Sequence, residues 1–288
     1  MSTTTVGFVG TGIMGRSMAG HLLAAGNKLR VFSRTKEKAA GLIEAGAVWC
    51  ASPAEAAAEA DVVISIVGFP ADVEEVYLGR GGILSTARAR SVVIDMTTSS
   101  PALAIRIAGA AKEKSVAALD APVSGGDIGA REARLSIMVG GDEAAFEKAL
   151  PLFQAMGKNI VRQGPAGAGQ HTKMCNQIAV AASMLGVCEA LAYAKRTGLD
   201  QERVLASISS GAAGSWSLSN LAPRVIKSDF APGFMVKHFR KDLGIALEAA
   251  RECGLDLPMT ALAAKLYARL AEDGGEELGT QALYRLYG

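Results

Sequence analysis

The stretch Val6-Gly-Phe-Val-Gly10-Thr-Gly12-Ile-Met-Gly15 decides the fold. A short apolar run ends in glycine, and residues 14–25 then carry apolar side chains at helical spacing, which predicts strand, tight turn and helix. In this setting the spacing G-x-G-x-x-G lets bare backbone N–H groups and a helix dipole hold a pyrophosphate. The alternative is that the glycines only allow tight packing. The nucleotide-binding residues predicted from the motif are Gly10, Thr11, Gly12, Ile13, Met14 and Gly15.

Apolar runs continue to alternate with alanine-rich helical segments as far as Arg162. Further strands are predicted at 28–32, 62–66, 92–95, 117–121, 136–139 and 159–161. This alternation is typical of a mainly parallel sheet with helices on both faces. We therefore predict an α/β, doubly wound, Rossmann-like N-terminal domain.

The pattern after residue 163 is helical throughout. Residues 167–197 predict one helix of roughly 45 Å at 1.5 Å per residue, which is long enough to join two domains. Shorter helices are predicted at 201–209, 218–225, 239–253, 259–271 and 279–287. We expect a dinucleotide-binding domain at 1–163 and an all-α domain at 164–288, which serves substrate binding and oligomerisation.

The tip of the second predicted strand indicates which dinucleotide is bound. NAD enzymes usually carry an acidic residue there, which accepts from the ribose 2′-hydroxyl, whereas this chain has Ser33-Arg34-Thr35-Lys36. Arg34 can bind a 2′-phosphate through two parallel hydrogen bonds, and the hydroxyl groups of Ser33 and Thr35 can donate further hydrogen bonds. NADP(H) is therefore expected in preference to NAD(H), unless the stretch is only a solvated helix start.

Composition excludes several classes of protein. Thirty basic and twenty-eight acidic residues give a net charge of +2, too small for a nucleic-acid surface or a polybasic membrane patch. The four cysteines form no CxxC pair and the three histidines are scattered, so neither a disulfide framework nor a metal site is expected. Residues 1–5 leave no room for a leader, and the apolar run 178–188 is shorter than the roughly 20 residues of a membrane span. We expect a cytoplasmic protein.

Two stretches suggest how a small acid could be bound and protonated. Ser124, Gly125 and Gly126 follow a predicted strand and can present consecutive N–H groups to an anion, although the stretch could also be an ordinary turn. On the long helix, Lys173 shares one face with Asn176 and Gln177, at spacings of three and four residues.

A lone helical lysine is usually solvated, but one that faces a cleft beside a nucleotide is a candidate proton donor. Gly169, one turn earlier, is expected to clear space on the same face. Cys175 and His171 lie off this face, and we expect Cys175 to pack in the core.

These motifs together resemble the β-hydroxyacid dehydrogenase family, which includes 3-hydroxyisobutyrate dehydrogenase and semialdehyde reductases. Four signatures appear in order: the glycine fingerprint, residues 120–126, residues 167–176 and residues 234–243. The segment 95–101 also resembles the family's stretch after the fifth strand. The resemblance spans nearly the whole chain.

The resemblance implies a role for each matching residue. Lys173 would be catalytic, while Ser124, Gly125, Gly126, Asn176 and Gln177 would meet the substrate. Phe234 would wall the substrate pocket, Lys241 and Asp242 would close the cleft, and Thr98 would lie near the nicotinamide. Val67 and Gly68 would contact the cofactor. Two positions depart from the family pattern: Gln177 replaces a common second Asn, and Phe69 follows Gly68 before the proline of that loop.

The expected function is hydride transfer between NADPH and a small aldehyde or keto acid, with Lys173 as acid and base. A 6-phosphogluconate dehydrogenase would carry His where this chain has Asn176, and imine reductases typically lack the lysine. The remaining alternatives are an imine reductase-like enzyme and a catalytically silent nucleotide-binding module on the same fold.

A homodimer or homotetramer is also expected, as the resemblance implies. The helices after Gly198 carry apolar residues at helical spacing, and we expect a two-fold partner to cover them, unless they form the second domain's own core. These residues are Leu199, Val204, Leu205, Ile208, Leu218, Leu221, Val225 and Ile226.

Overall fold

The computed structural model describes residues 3–288, so Met1 and Ser2, on which part of the leader prediction rests, lie outside the described residues. The chain divides into two compact units, the first ending at Lys173 and the second spanning Met174–Gly288. The predicted α/β and all-α organisation is confirmed. The division into compact units falls ten residues later than the predicted domain boundary.

The first unit is built on a nine-stranded sheet. Its strands are β1 Thr5–Val9, β2 Lys28–Phe32, β3 Val48–Trp49, β4 Val62–Ser65, β5 Val92–Asp95, β6 Ala117–Asp120, β7 Val123–Ser124, β8 Leu135–Gly141 and β9 Gly157–Gly164. Every predicted strand is present. The two-residue strands β3 and β7 were not predicted, because neither is long enough to show a pattern.

The order of the strands fixes where ligands can bind. From β3 the sheet runs β2, β1, β4, β5, β6 with all pairs parallel, and β6 and β7 then pair antiparallel with β8, whose other neighbour is the parallel β9. The order reverses between β1 and β4. Doubly wound sheets bind ligands outside the carboxyl ends of the strands at such a switch point.

Seven helices of the first unit cover this sheet: α1 Gly15–Ala24, α2 Ala40–Glu44, α3 Pro53–Ala57, α4 Pro70–Leu78, α5 Pro101–Glu113, α6 Gly126–Arg131 and α7 Glu143–Met156. Helix starts follow local chemistry. Ser52, Ser100 and Asp142 each accept an N–H of the following first turn. One apolar core packs α1 and α7 on one face of the sheet, and a second packs α3, α4 and α5 on the other.

The second unit is helical: α8 Ala168–Arg196, which begins in the first unit, then α9 Gln201–Ile208, α10 Trp216–Asn220, α11 Ala222–Ile226, α12 Val236–Glu252 and α13 Pro258–Leu270. The helix predicted at 218–225 is two short helices, because Pro223 lies in the first turn of α11 and lacks an N–H. The segment predicted as a helix at 279–287 is the 3₁₀-helix Thr280–Tyr287.

The core of the second unit overturns one argument for oligomers. Leu205, Leu218, Leu221 and Val225 are buried there, and Ile208 and Ile226 pack against them. For these residues the alternative is therefore correct: they form the second domain's own core. Of the eight residues, Leu199 is the one that is more than half exposed, so this set does not form the surface that a partner would cover.

Helix α8 has a longer apolar stretch than the membrane argument considered. Among residues 3–288 it is the one helix with the length and hydropathy of a membrane span, and nearly half of that window is buried inside the protein. The sequence argument measured only the apolar run 178–188, so it understated the apolar length. Met184, Cys188 and Leu191 of α8 lie in the core of the second unit.

Candidate active site

The turn after β1 has the geometry that the glycine fingerprint requires. Gly10 has a φ of +101°, and a side chain there would collide with the carbonyl oxygen of Ile66. A Cβ at Gly15 would collide with the carbonyl oxygen of Gly10. These two glycines therefore let the start of α1 and the end of β4 pack directly on the turn.

The same turn leaves room for a phosphate group. A Cβ added at Gly12 would meet nothing within 4 Å, so the space beside its backbone is open. The buried Oγ1 of the neighbouring Thr11 has no hydrogen-bond partner. An open glycine backbone beside an unused hydroxyl at the start of a helix fits the pyrophosphate of a dinucleotide.

The tip of β2 carries its arginine in an ion pair. The Nη1 of Arg34 lies 3.0 Å from Oδ1 of Asp72, and Oδ2 of Asp72 accepts the backbone N–H of Phe69 at 3.0 Å. Most of the Arg34 side chain is exposed. Ser33 is half-buried and Thr35 is exposed, while Lys36 stands over the ring of Trp49 at 5.6 Å. Asp72 was not predicted to face this tip.

The loops after β4 and β5 are bonded to each other. The backbone N–H of Val67 donates to Oγ1 of Thr97 at 2.9 Å. Gly68 and Thr98, the other residues of these loops that were predicted to contact cofactor or substrate, are half-buried. The buried Thr97 is therefore the residue that fixes the spacing of the two loops.

Asp95, the last residue of β5, is a buried carboxyl below this contact. Its Oδ1 accepts from Oγ of Ser65 at 3.0 Å and from the N–H of Thr97 at 3.1 Å, and Ser65 is also bonded to the hydroxyl of Tyr77 at 2.9 Å. Burial raises the pKa of Asp95 to about 6, against the opposing effect of its hydrogen bonds with Thr97 and Ser65. Asp95 thus keeps its proton to a higher pH than an exposed aspartate does.

We expect Asp95→Asn to flatten the pH dependence of stability between about pH 4 and pH 7. Because the pKa of Asp95 is higher in the folded protein, folding retains a proton that the unfolded chain releases, and the free energy of unfolding falls as the pH rises through this range. A shift of about 2 pKa units corresponds to about 3 kcal/mol over the whole titration, of which about 2 kcal/mol falls between pH 4.5 and pH 7.5. Urea unfolding at pH 4.5 and 7.5 measures the difference, with the exposed Glu147→Gln of α7 as control. An unchanged slope in Asp95→Asn would contradict this assignment.

Asp120, the last residue of β6, holds the start of α8. Its Oδ1 accepts the N–H of Gly167 at 2.8 Å and its Oδ2 accepts the N–H of Gln170 at 2.8 Å. Burial raises the pKa of Asp120, and these backbone donors oppose the rise. The carboxylate thus satisfies N–H groups that a helix start otherwise leaves unpaired.

Lys173 lies on the second turn of α8 and is buried, with 6% of its surface exposed. It is the only buried lysine among residues 3–288. The sequence suggested that Gly169 clears space for a ligand, but the structure shows that it does not. A Cβ there would approach backbone atoms of Asp120, Met138 and Gly140, so Gly169 instead allows α8 to pack on the backbone of β6 and β8.

Ser124, Gly125 and Gly126 end β7 and begin α6. Both glycines have positive φ, +126° and +62°, so the backbone turns here in a way that only glycine adopts freely. Ser124 is half-buried and Gly125 is exposed. The predicted accessible turn is present.

In the second unit, three predicted residues form one hydrogen-bonded chain, and a fourth joins it through an ion pair. The Nδ2 of Asn176 donates to Oε1 of Gln177 at 2.7 Å, and Nε2 of Gln177 donates to Oδ2 of Asp242 at 2.6 Å. Lys241 Nζ lies 3.1 Å from Oδ1 of the same buried Asp242. The extra methylene of Gln177 thus reaches α12, and both ends of its amide are engaged within the protein.

Phe234 and Cys175 were also singled out in the sequence. Phe234 is half-buried, and its ring lies edge-on to Phe239 at 5.7 Å. Cys175 is exposed, so the expectation that it packs in the core is wrong. No cluster of three metal-ligating side chains occurs among the residues that the structure describes.

Besides Asp72 and Thr97, sequence reasoning missed Asp95, Asp120 as an anchor of α8, and Gln170. The only local signal was an aspartate at the end of each of two neighbouring strands. Asp95 and Asp120 are register partners in β5 and β6, which becomes visible only once the strands are paired.

Two family models match the chain. The first, described as the NAD-binding domain of 6-phosphogluconate dehydrogenase, matches residues 5–164. The second, described as the NAD-binding domain of NADP-dependent 3-hydroxyisobutyrate dehydrogenase, matches residues 167–287. The first model alone covers more than half of the chain.

Individual proteins agree with these models. A probable 3-hydroxyisobutyrate dehydrogenase-like protein of Arabidopsis thaliana is 50% identical over 98% of this chain and 84% of its own length. An NAD-dependent L-serine dehydrogenase of Pseudomonas aeruginosa is 40% identical over 98% of this chain and 97% of its own. The solved structure of Mycobacterium tuberculosis 3-hydroxyisobutyrate dehydrogenase with L-serine is 34% identical over 99% of both chains, with a TM-score of 0.91.

The two domains of this chain are therefore shared with proteins of known class. The fold in common is an N-terminal Rossmann-like domain followed by a helical domain. The chain belongs to the β-hydroxyacid dehydrogenase family of NAD(P)-dependent oxidoreductases, in which it is of the 3-hydroxyisobutyrate dehydrogenase type.

Proposed function

We propose that this protein is an NADP-dependent oxidoreductase that interconverts a small 3-hydroxy acid, or a 2-hydroxy acid, with its aldehyde or keto acid. The observation that carries the proposal is the burial of Lys173 on α8. Lysines are rarely buried, because removing the ammonium group from water is costly, and such a position is typical of functional sites.

Each step then has a residue to perform it. The bound cofactor supplies or accepts the hydride. Lys173 gives a proton to the carbonyl oxygen in reduction and, as the neutral amine, removes it from the hydroxyl in oxidation. Ser124, Gly125 and Gly126 bind the substrate carboxylate through backbone N–H groups, and Asn176 orients the substrate.

The preference for NADP(H) rests on the tip of β2. No acidic residue stands at 33–36, and Arg34 is available for a 2′-phosphate. Asp72 opposes this role, because its carboxylate holds the Arg34 guanidinium at 3.0 Å. A 2′-phosphate therefore has to compete with Asp72 for the same donors.

We expect Arg34→Ala to reduce the ratio of kcat/KM for NADPH over NADH, and Asp72→Asn to increase it severalfold, because each change alters the charge that meets a 2′-phosphate. Steady-state kinetics with both cofactors measures the ratio. Glu74→Gln, which removes a carboxylate of the same helix from its pair with Arg106, serves as control. A wild type that prefers NADH tenfold would contradict the assignment of Arg34.

The substrate class is tested by a panel of acids with NADPH and NADH. Glyoxylate and the semialdehydes of tartronate, methylmalonate and succinate test reduction, while 3-hydroxyisobutyrate and L-serine test oxidation. Small acids that differ by a methylene are separated by only about 1–3 kcal/mol, so several are expected to react at different rates. Cofactor binding without turnover of any acid would favour the silent nucleotide-binding module instead.

We also propose a cytoplasmic homodimer or homotetramer. The location rests on the four separated cysteines. Oligomerisation is supported by a surface different from the predicted one: Ala179, Ala182, Gly186 and Tyr193 lie exposed along one face of α8. Light scattering at micromolar concentration tests the assembly, and the mass of a single chain would overturn it.

A further inference from the structure

A buried amide, Gln170, connects the lysine helix to the loop after β5. Gln170 has no exposed surface and lies three residues before Lys173 on α8. Its Nε2 donates to the carbonyl oxygen of Thr97 at 2.7 Å, and its Oε1 accepts the N–H of Ser99 at 2.9 Å. Both ends of the amide are therefore fixed by one loop, which also contains Thr98.

The backbone of the same turn is held from a second direction. Asp120 accepts the N–H groups of Gly167 and Gln170, and Gly169 lies directly against the backbone of Gly140. Contact between backbones leaves no flexible side chain that could absorb a shift. The first turn of α8 is thus tied to β6, β8 and the loop after β5.

The network extends to the neighbouring loop at the same edge of the sheet. Thr97 accepts the N–H of Val67 and donates its own N–H to Asp95. The loops after β4 and β5, the end of β6 and the start of α8 therefore form one hydrogen-bonded body. Lys173 follows on the next turn of the helix.

We propose that Gln170 is a positioning residue for the acid–base chemistry of Lys173, acting through the Thr97 and Ser99 backbone; this role rests on the proposed function. Catalytic groups must be held to a fraction of an ångström, and a displacement of about 1 Å can cost about 10² in rate. A packing role alone would require only the volume of Gln170, whereas a positioning role requires its donor and its acceptor.

Gln170→Glu separates these roles, because a protonated glutamate has the shape and the hydrogen bonds of glutamine. Its O–H can donate to Thr97 while its carbonyl accepts from Ser99. Once ionised, it presents a carboxylate to the Thr97 carbonyl. The titratable groups nearest to it are Asp120 on β6, Asp95 behind Thr97 on β5, and Lys173 and the exposed His171 on α8 itself. Burial and the two aspartates favour its neutral form at low pH.

We therefore expect kcat of Gln170→Glu to be roughly 10²-fold below wild type at pH 8.5 and to approach wild type at pH 5.5. The ratio of variant to wild-type kcat is the readout, since a titration that occurs in both proteins cancels in this ratio. Gln170→Met, which keeps the length but has no hydrogen bonds, should lose a similar factor at every pH, with unchanged affinity for NADPH. The exposed Gln154→Glu of α7 is the matched control.

Hydrogen exchange provides a readout independent of turnover. Loss of the acceptor in Gln170→Met should speed exchange of the Ser99 amide, which donates to Gln170 in the wild type. A Gln170→Glu ratio that does not change with pH, or a Gln170→Met variant with wild-type kcat, would overturn the positioning role. The proposed function would still stand if Lys173→Ala lowers kcat. Absence of turnover by the wild type on every acid would overturn the proposed function and this role with it.

Discussion

Lys173→Ala should lower kcat by roughly 10² to 10⁴, the usual contribution of a positioned acid–base group, while the dissociation constant for NADPH stays near that of the wild type. The expectation follows from the burial of this lysine on a helix whose first turn is fastened by Asp120 and Gln170. Removing the amine leaves the glycine turn of Gly10–Gly15 unchanged. The variant should therefore bind NADPH as the wild type does and yet turn over much more slowly.

The matched control for this experiment lies on the same helix. Lys195 is exposed in the last turn of α8, and Lys195→Ala should retain wild-type kinetics. Single-turnover measurements with NADPH and the best acid of the panel distinguish a slow chemical step from slow product release. If Lys173→Ala keeps half of the wild-type kcat, Lys173 has no part in the proton transfer.

Gly169→Ala should destabilise the first unit by about 3 kcal/mol, at the upper end of what overpacking usually costs. A Cβ at this position would lie 2.5 Å from the carbonyl oxygen of Met138 and 2.8 Å from the amide nitrogen of Gly140. Backbone atoms of paired strands cannot move aside as a flexible side chain can. We also expect kcat to fall, because the helix that carries Lys173 has to shift.

Gly109→Ala is the control, and we expect it to stabilise the protein. Gly109 lies exposed within α5, and a Cβ there would meet nothing within 4 Å. Alanine in an open helical position stabilises by about 0.5–1 kcal/mol. Urea denaturation of both variants measures the contrast, and equal midpoints would show that the contact at Gly169 carries no strain.

The sequence predicted the elements that have a local pattern. Strands β1, β4 and β5 were found because each is a run of apolar residues buried on both faces, and α8 because its helical spacing extends over 29 residues. Strand β7 was missed because a strand of two residues is too short to show an alternation of apolar and polar residues. The exposure of Cys175 could not be read from helical angles alone, since those angles do not say which face meets the core.

The polar network at the sheet edge could not be predicted for a different reason. The residues it joins are far apart in the chain: Asp120 is 50 residues from Gln170, and Ser99 is 71 residues from it. Such partners meet only after strand order and register are set. The glycine fingerprint and Lys173 were accessible because their residues lie within one turn or one helix.

The division of α8 between two compact units has a consequence for synthesis on the ribosome. The first unit ends at Lys173, whereas Met184 and Cys188 of α8 share a core with Ala282 and Leu283. At about 5–20 residues per second, this half of the helix waits on the order of ten seconds for its partners. Slow codons between residues 190 and 283 lengthen the time for which its apolar face is open to chaperones or to aggregation.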